Sequence, residues 1–463
     1  MIKMNKVEKF RPEIHFSPEK HWINDPNGLV FYKGEYHLFY QYHPQSTVWG
    51  PMHWGHAISK DLVTWEEKPI ALYPDELGAI FSGSAVVDWN NTSGLQTGEE
   101  KVLVAIFTHH GEDNEKQSIA YSNDCGRTWV KYSGNPVIVN PGLKDFRDPK
   151  VFWHEGTSQW IMSLACGDHI RFYGSPNLLE WKHLSSFGET YGTHDGVWEC
   201  PDLLHLQVEG EEEKKWVLIV SLNPGGPNGG SAIQYFTGEF DGRTFVTDQK
   251  ESDVKWADWG RDFYAAVTWS GVEEPTWVGW MSNWQYANQT PTDEFRGAMS
   301  IPRTLSLIKR EAEYVLIQRP IELKGENVLE RANECLEEIK VDVPSGAYTF
   351  EMNLENAPSF TIELGGLKLA FDKRAKEFRI DRTNSGFIDF SEHFASVDVM
   401  PLEKVEDMTI IADRTSIEVF INGGSAVMTE TFYPVNAISE MTIRSGMGEP
   451  INAKQIKVKR ISL

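Results

Sequence analysis

Cysteine is scarce in this 463-residue chain: Cys125, Cys166, Cys200 and Cys335 stand far apart with no Cys-x-x-Cys pair. That spacing offers neither a disulfide framework nor a zinc knuckle, and points to reduced, structural thiols. Basic charge is also in deficit, with 44 Lys and Arg against 67 Asp and Glu and a net charge of −23. Such a balance argues against nucleic acid or an anionic membrane as partner and favours a neutral ligand. No apolar run is long enough to span a bilayer, and Met1 to Arg11 mixes Lys and Glu without an apolar core, so the expectation is a cytoplasmic protein with no secretory leader. Helical periodicity is almost missing as well. What is plentiful is aromatic and turn-forming: 17 Trp, 38 Gly and 23 Pro, a composition suited to an all-β chain with many turns.

A loose repeat runs through the first two thirds, each copy a polar turn followed by an aromatic. The copies are Ser59-Lys60-Asp61-Leu62-Val63-Thr64-Trp65, Ser122-Asn123-Asp124-Cys125-Gly126-Arg127-Thr128-Trp129, Ser175-Pro176-Asn177-Leu178-Leu179-Glu180-Trp181 and Asp241-Gly242-Arg243-Thr244-Phe245. Between them lie strand candidates at 101–108, 159–165, 216–221 and 277–281. This spacing predicts about five propeller blades over roughly 300 residues, with a β-sandwich array as the alternative. After Pro320 the composition changes. Residues 325–338 are charged and read as a short helix or linker, and from 339 onward alternating strands at 360–364, 368–371, 377–381, 408–412 and 416–421 predict a β-sandwich. The expected division is a catalytic propeller over 1–324, a linker over 325–338 and a sandwich over 339–463.

Three acidic turns carry the chemistry. Asp25 lies in Trp22-Ile23-Asn24-Asp25-Pro26-Asn27-Gly28, where Pro26 stiffens one side and Asn27-Gly28 tolerate positive φ on the other. Asp148, in Phe146-Arg147-Asp148-Pro149, follows an arginine expected to lower its pKa and hold it ionised. Glu199, in Trp198-Glu199-Cys200-Pro201, sits between a Trp and a Cys, where partial desolvation would raise its pKa toward that of a general acid. A carboxyl kept ionised beside one kept protonated is what glycoside hydrolysis requires. Each motif alone reads as an ordinary structural turn. Three of them at blade-like intervals point to one funnel, because every blade delivers its inner strand to the same axis.

These motifs resemble glycoside hydrolase family 32, the invertase, inulinase and levanase group. The resemblance covers nearly the whole chain, in family order: Trp22 to Gly28, Gln41-Tyr42-His43-Pro44, Trp49 with His53 to Ala57, Phe81-Ser82-Gly83-Ser84, Phe146 to Pro149, Trp198 to Pro201, Asp262 to Ala266, Met281 to Ala287, Arg296 to Arg303 and, in the second domain, Ser416 to Asn422. It implies a five-bladed β-propeller followed by a C-terminal β-sandwich. It also implies a retaining hydrolase of β-fructofuranosides with Asp25 as nucleophile, Glu199 as acid/base and Asp148 as transition-state stabiliser. Retention predicts Asp25 and Glu199 carboxyls about 5 to 5.5 Å apart. Asn24, Gln41, Trp49, Phe81, Ser82, Arg147 and Trp284 match positions around the terminal fructose, where aromatic faces suit C–H surfaces and amides or hydroxyls suit alcohols.

Asn223-Pro224-Gly225-Gly226-Pro227-Asn228-Gly229-Gly230 has no following Lys-Ser/Thr, so it reads as a rim loop rather than a phosphate loop, with Asn223 a candidate sugar contact. His53, His56, His109 and His110 lack an acidic third ligand at metal-site spacing, so neither metal nor cofactor is expected. Within the family, Asp258 to Val267 and the Trp284 segment resemble the exo-fructosidase and inulinase branch. An invertase or sucrose-6-phosphate hydrolase is the alternative. A non-catalytic fructan-binding propeller is a third reading, against which the intact acidic trio stands. The partner expected is a carbohydrate substrate; oligomeric state is left open by the sequence.

Overall fold

A computed structural model describes residues 9–111, 114–446 and 448–462. Positions 1–8, most of the stretch read above for a leader, lie outside the described residues, as do 112–113, 447 and 463. Strands form almost all of the regular structure, and among the described residues no helix is long and apolar enough to cross a membrane.

Five antiparallel sheets follow one another along the chain. Their innermost strands are His21–Tyr32, Ala79–Asp88, Phe146–His154, Val197–Gln207 and Tyr264–Thr268, which define blades I to V. Each innermost strand touches the next, and that of blade V touches that of blade I. The join between last and first blades is also hydrogen-bonded: Phe295–Arg296 pairs in parallel with His21–Trp22, and the Ser270 amide donates to the Leu29 carbonyl at 3.0 Å. A separate apolar cluster fills each junction. Trp54 of blade I meets Phe107 of blade II, Trp198 of blade IV meets Phe172 of blade III, and Trp22 and Tyr40 of blade I meet Tyr264 and Trp280 of blade V. Large rings suit these wedge-shaped gaps, each burying far more apolar area per residue than an aliphatic side chain.

The repeated polar turn is the link between third and fourth strands of blades I to IV. Asp61, Asp124, Asn177 and Asp241 each turn a side-chain oxygen onto two backbone N–H groups just downstream, at 2.7–3.1 Å. These are Asx turns, which explains why Asp or Asn is needed there and why strand resumes at the aromatic. Blade V closes with a two-residue turn between Arg310 and Glu313 instead, so the signature stops at four copies.

The second domain stacks two six-stranded sheets around one core that includes Phe350, Phe360, Phe371, Phe378 and Val419. Here the linker expectation is corrected. Residues Gly325–Leu336 form a strand paired antiparallel with Ile451–Ile461, at the edge of the first sheet. Most of its side chains face solvent, so it shows no apolar alternation; its backbone ladder, not its side chains, makes it a strand.

Buried charges lock the two domains together. Arg303 of the propeller, fully buried, donates to Glu418 Oε2 at 2.6 Å and to Asp258 Oδ2 at 3.0 Å. His15 bridges Asp413 and Glu418 through its two ring nitrogens, at 2.9 and 2.8 Å. Burial alone would push that imidazole down, but the hydrogen bonds and charges of Asp413 and Glu418 outweigh it and hold the pKa at about 9, against 6.5 ordinarily. A histidine with a raised folded-state pKa contributes stability fully present below 6.5 and lost as pH rises through about 9. The expected result is that thermal unfolding separates the parent from His15→Asn most widely below pH 6.5, with the gap narrowing across the window up to about 9. Melting curves of both forms that run parallel from pH 6 to 10 would remove this account.

Candidate active site

All five innermost strands carry a register irregularity at the same end: between Ile23 and Pro26, Ile80 and Gly83, opposite Ser163 to Ala165 at Arg147 to Lys150, Glu199 and Asp202, and Tyr264 and Val267. A bulge re-aims side chains that would otherwise follow the pleat into the sheet faces. At these five places lie Asp25, Ser82, Asp148, Glu199 with Cys200, and Tyr264. Asp148 and Cys200 hold φ of 63° and 45°, left-handed values that non-glycine residues seldom adopt. Pro149 and Pro201 follow directly. In blade I the left-handed position is Gly28, at φ 55°, where a Cβ would lie 2.6 Å from the Phe39 ring and 2.7 Å from Trp54. Only glycine fits there.

Asp25 is held on both oxygens. Asn24 Nδ2 donates to Oδ1 at 2.9 Å and Ser82 Oγ to Oδ2 at 2.7 Å. Asn24 is itself fixed by Trp22 Nε1 at 2.7 Å, and Trp22 stacks on Trp284 with centroids 5.9 Å apart. Gln41 supports the turn from behind, donating to Asn27 Oδ1 at 2.7 Å. The thiol of Cys200 lies 3.6 Å from both Asp25 Oδ2 and Asp148 Oδ2, so those two carboxyl oxygens are within twice that distance of each other.

Glu199 is clamped from two sides. Arg147 donates to Oε1 through Nε at 3.2 Å and Nη2 at 3.0 Å, and the Tyr264 hydroxyl donates to Oε2. Burial raises the Glu199 pKa, opposed by Arg147 and reinforced by the Asp25 charge. That direction is the one expected of a general acid.

Asp148 corrects the sequence-based expectation. Arg147 does not pair with its neighbour in the chain; its guanidinium is spent on Glu199, Glu115 and Asp145. Asp148 instead accepts the Cys200 N–H at 3.0 Å. Its burial, opposed by Arg147 but reinforced by the Glu199 and Asp25 charges, pushes its pKa up to about 8. The bulge from Arg147 to Lys150, with Asp148 at φ 63°, re-aims the Asp148 side chain, which is why Arg147 and Asp148 reach different partners.

Trp49 is exposed and stands edge-on to Phe81, centroids 6.2 Å apart. Phe81 lies flat on His110, centroids 4.1 Å apart and planes 2° from parallel. Asn223 is half-buried at the end of the strand that pairs with Glu199, two residues beyond Ser221, the partner of Glu199. Thus Asn24, Ser82 and Arg147 join the acidic trio by contact, Trp284 stacks on the Trp22 that fixes Asn24, Phe81 and Trp49 form a wall beside Ser82, Gln41 braces, and Asn223 sits further along blade IV. The sequence assigned no role to Tyr264, Cys200 or Glu115. Tyr264 was legible only as part of Asp262 to Ala266, and Cys200 only as the neighbour of Glu199. His53 and His56 belong to blade I, where His56 stacks on buried His37, and His109 contacts Ser118 and Asp75. Among the described residues no group of three His, Cys, Asp or Glu could hold a metal ion.

Comparison with known proteins fixes the lineage. Residues 15–320 match the Glycosyl hydrolases family 32 N-terminal domain and residues 303–460 the Glycosyl hydrolases family 32 C terminal domain. The chain belongs to glycosyl hydrolase family 32. It is similar to a levanase of Bacillus subtilis, 47% identical over 98% of this chain and 70% of that protein. An extracellular exo-inulinase of Aspergillus awamori is 39% identical over 98% of this chain and 95% of its own. Among solved structures, that of exo-inulinase from Aspergillus awamori superposes with a TM-score of 0.92 at 36% identity, covering 99% of both chains. A β-fructofuranosidase of Schwanniomyces occidentalis complexed with fructosyl-erythritol gives 0.93 at 35% identity over 100% of each. The chain therefore has the family-32 architecture, a five-bladed β-propeller followed by a β-sandwich, and is a glycosidase.

Proposed function

We propose that this enzyme releases terminal fructose from β-D-fructofuranosides, namely inulin or levan, their oligosaccharides and sucrose, by double displacement with retention. The observation that carries the reading is the convergence of Asp25, Asp148 and Glu199 from the bulges of blades I, III and IV, with Glu199 alone clamped between a cation and a phenol. Relatives named levanase and exo-inulinase support the substrate class.

In this scheme Asp25, positioned by Asn24 and Ser82, attacks the ketose anomeric carbon and forms a fructosyl-enzyme. Glu199 gives its proton to the departing oxygen, then takes one from the water that releases fructose. Asp148 accepts hydrogen bonds from the fructosyl hydroxyls. Those donors supply what its buried setting lacks, and they stabilise the carboxylate most as charge develops on the sugar. Phe81, Trp49 and Trp284 offer faces to the sugar's C–H surface, and Asn223 lies where it can meet the leaving group. Arg147 is committed to three carboxylates, which leaves it ill suited to a phosphate and favours plain fructans and sucrose over sucrose-6-phosphate.

The test is a product profile on sucrose, sucrose-6-phosphate, inulin and levan. Fructose as the sole early product from both polymers, with sucrose cleaved to glucose and fructose, is the expected result. Oligosaccharides as early products would replace exo action with endo action, and preference for the phosphorylated sugar would reverse the choice of substrate.

A further inference from the structure

Phe81 and Arg147, which belong to different blades, are tied together by two residues that the scheme above does not use. His110 and Glu115 face each other across the hairpin of the second and third strands of blade II. His110 lies flat on Phe81 and, through Nδ1, is 3.2 Å from Glu115 Oε1. The same Glu115 oxygen accepts from Arg147 Nη1 at 3.2 Å, and Arg147 passes on to Glu199 through Nε and Nη2. Glu115 is buried, and its second oxygen has no hydrogen-bond partner in the protein. A buried carboxylate satisfied on one oxygen only is costly, so its place here calls for a reason.

We propose that His110 and Glu115 are positioning residues of the active site: His110 sets the plane of the sugar-facing Phe81 ring, and Glu115 sets how much of the Arg147 charge reaches Glu199. The inference rests on Glu199 acting as the acid.

One guanidinium serves three carboxylates, Glu199, Glu115 and Asp145. Whatever draws Arg147 toward Glu115 weakens its hold on Glu199, and the hydrogen bond from His110 is what relieves Glu115 of its need for Arg147. The other groups facing Glu199 are Tyr264, Asp25, Asp148 and Cys200, and none of them contacts His110 or Glu115 through a hydrogen bond among the described residues. Two consequences of opposite sign follow. Glu115→Gln removes the competing anion, strengthens Arg147 on Glu199 and moves the alkaline limb of kcat/KM, where the acid loses its proton, to lower pH. His110→Phe keeps the ring on Phe81 but drops the bond to Glu115, which then holds Arg147 more tightly, so the limb moves to higher pH. Shifts of about half a pH unit are what a partial change in one ion contact gives.

The experiment compares pH profiles and KM for sucrose in the parent, Glu115→Gln, His110→Phe and His110→Gln, with melting temperatures taken alongside. His110→Gln keeps a donor for Glu115 and loses the flat ring, so the profile should stay in place while KM rises several-fold. His110→Phe should show the reverse, with KM within about twofold of the parent. Limbs that do not move in either Glu115→Gln or His110→Phe, or that move the same way in both, would overturn the proposal, as would a KM indifferent to the residue at 110. A uniform fall in kcat at every pH would mean a merely structural role and overturn it too. Should Glu115→Gln not fold, the two His110 variants, at a partly exposed position, decide the matter alone. A parent enzyme that fails to cleave sucrose would instead unseat the proposed function itself.

Discussion

Asp25→Ala is expected to abolish release of fructose from sucrose and fructans while leaving the fold intact. The loss should be on the order of 10⁴-fold or more, the scale seen when a covalent nucleophile is removed and only binding and electrostatics are left. The carboxylate is the one member of the trio held on both oxygens by neutral donors, Asn24 and Ser82, an arrangement that fixes direction without taking the charge away. Removing it leaves those two donors to water and takes one of three carboxyls out of a crowded pocket, so the melting temperature should stay level or rise. Such a gain is common where function has gathered like charges together. Retained turnover in a correctly folded Asp25→Ala protein would remove the nucleophile assignment.

Glu199→Gln should lose activity selectively. On sucrose and fructans, whose departing alcohol needs a proton, the expected fall is about 10³-fold. On an aryl fructoside with an activated leaving group, formation of the fructosyl-enzyme needs little acid help, so the first step should be nearly spared. The substitution suits the clamp: a glutamine can still accept from Arg147 with its oxygen, while its amide turns toward the Tyr264 oxygen. Geometry is thereby kept and only the proton is lost. Equal losses on both kinds of substrate would argue that Glu199 positions rather than protonates.

Asp148 shows how a local argument can fail. An arginine next to an aspartate in sequence suggests an ion pair, yet Arg147 reaches across to Glu199 and Glu115, 52 and 32 positions away. The consequence is a raised Asp148 pKa where a lowered one was expected. The strand at 325–336 fails differently, because an edge strand whose side chains mostly face water, with only Leu329 and Leu336 against the core, carries no clear periodicity to read. Conversely, the repeated polar turn before an aromatic was visible at once: its requirement is local, a side-chain oxygen reaching backbone N–H groups two to four residues on.

The sequence by itself determined that the chain is all-β, that its first part repeats, that a second β domain follows, and that Asp25, Asp148 and Glu199 stand in proline-bearing motifs, which read as turns and are in the structure bulges within innermost strands. Each of these depends on residues within a few positions of one another, on alternation, or on motifs whose order is written in the chain. Only the tertiary structure decided which cation serves which carboxylate, that Tyr264 and Cys200 complete the site, and that Arg303 with His15 and Glu418 fastens the sandwich to the propeller. Those choices are made across blades and between domains, where residues tens to hundreds of positions apart meet. Burial there sets both the strength of a contact and the cost of leaving it unmade, and neither can be read from neighbours in sequence.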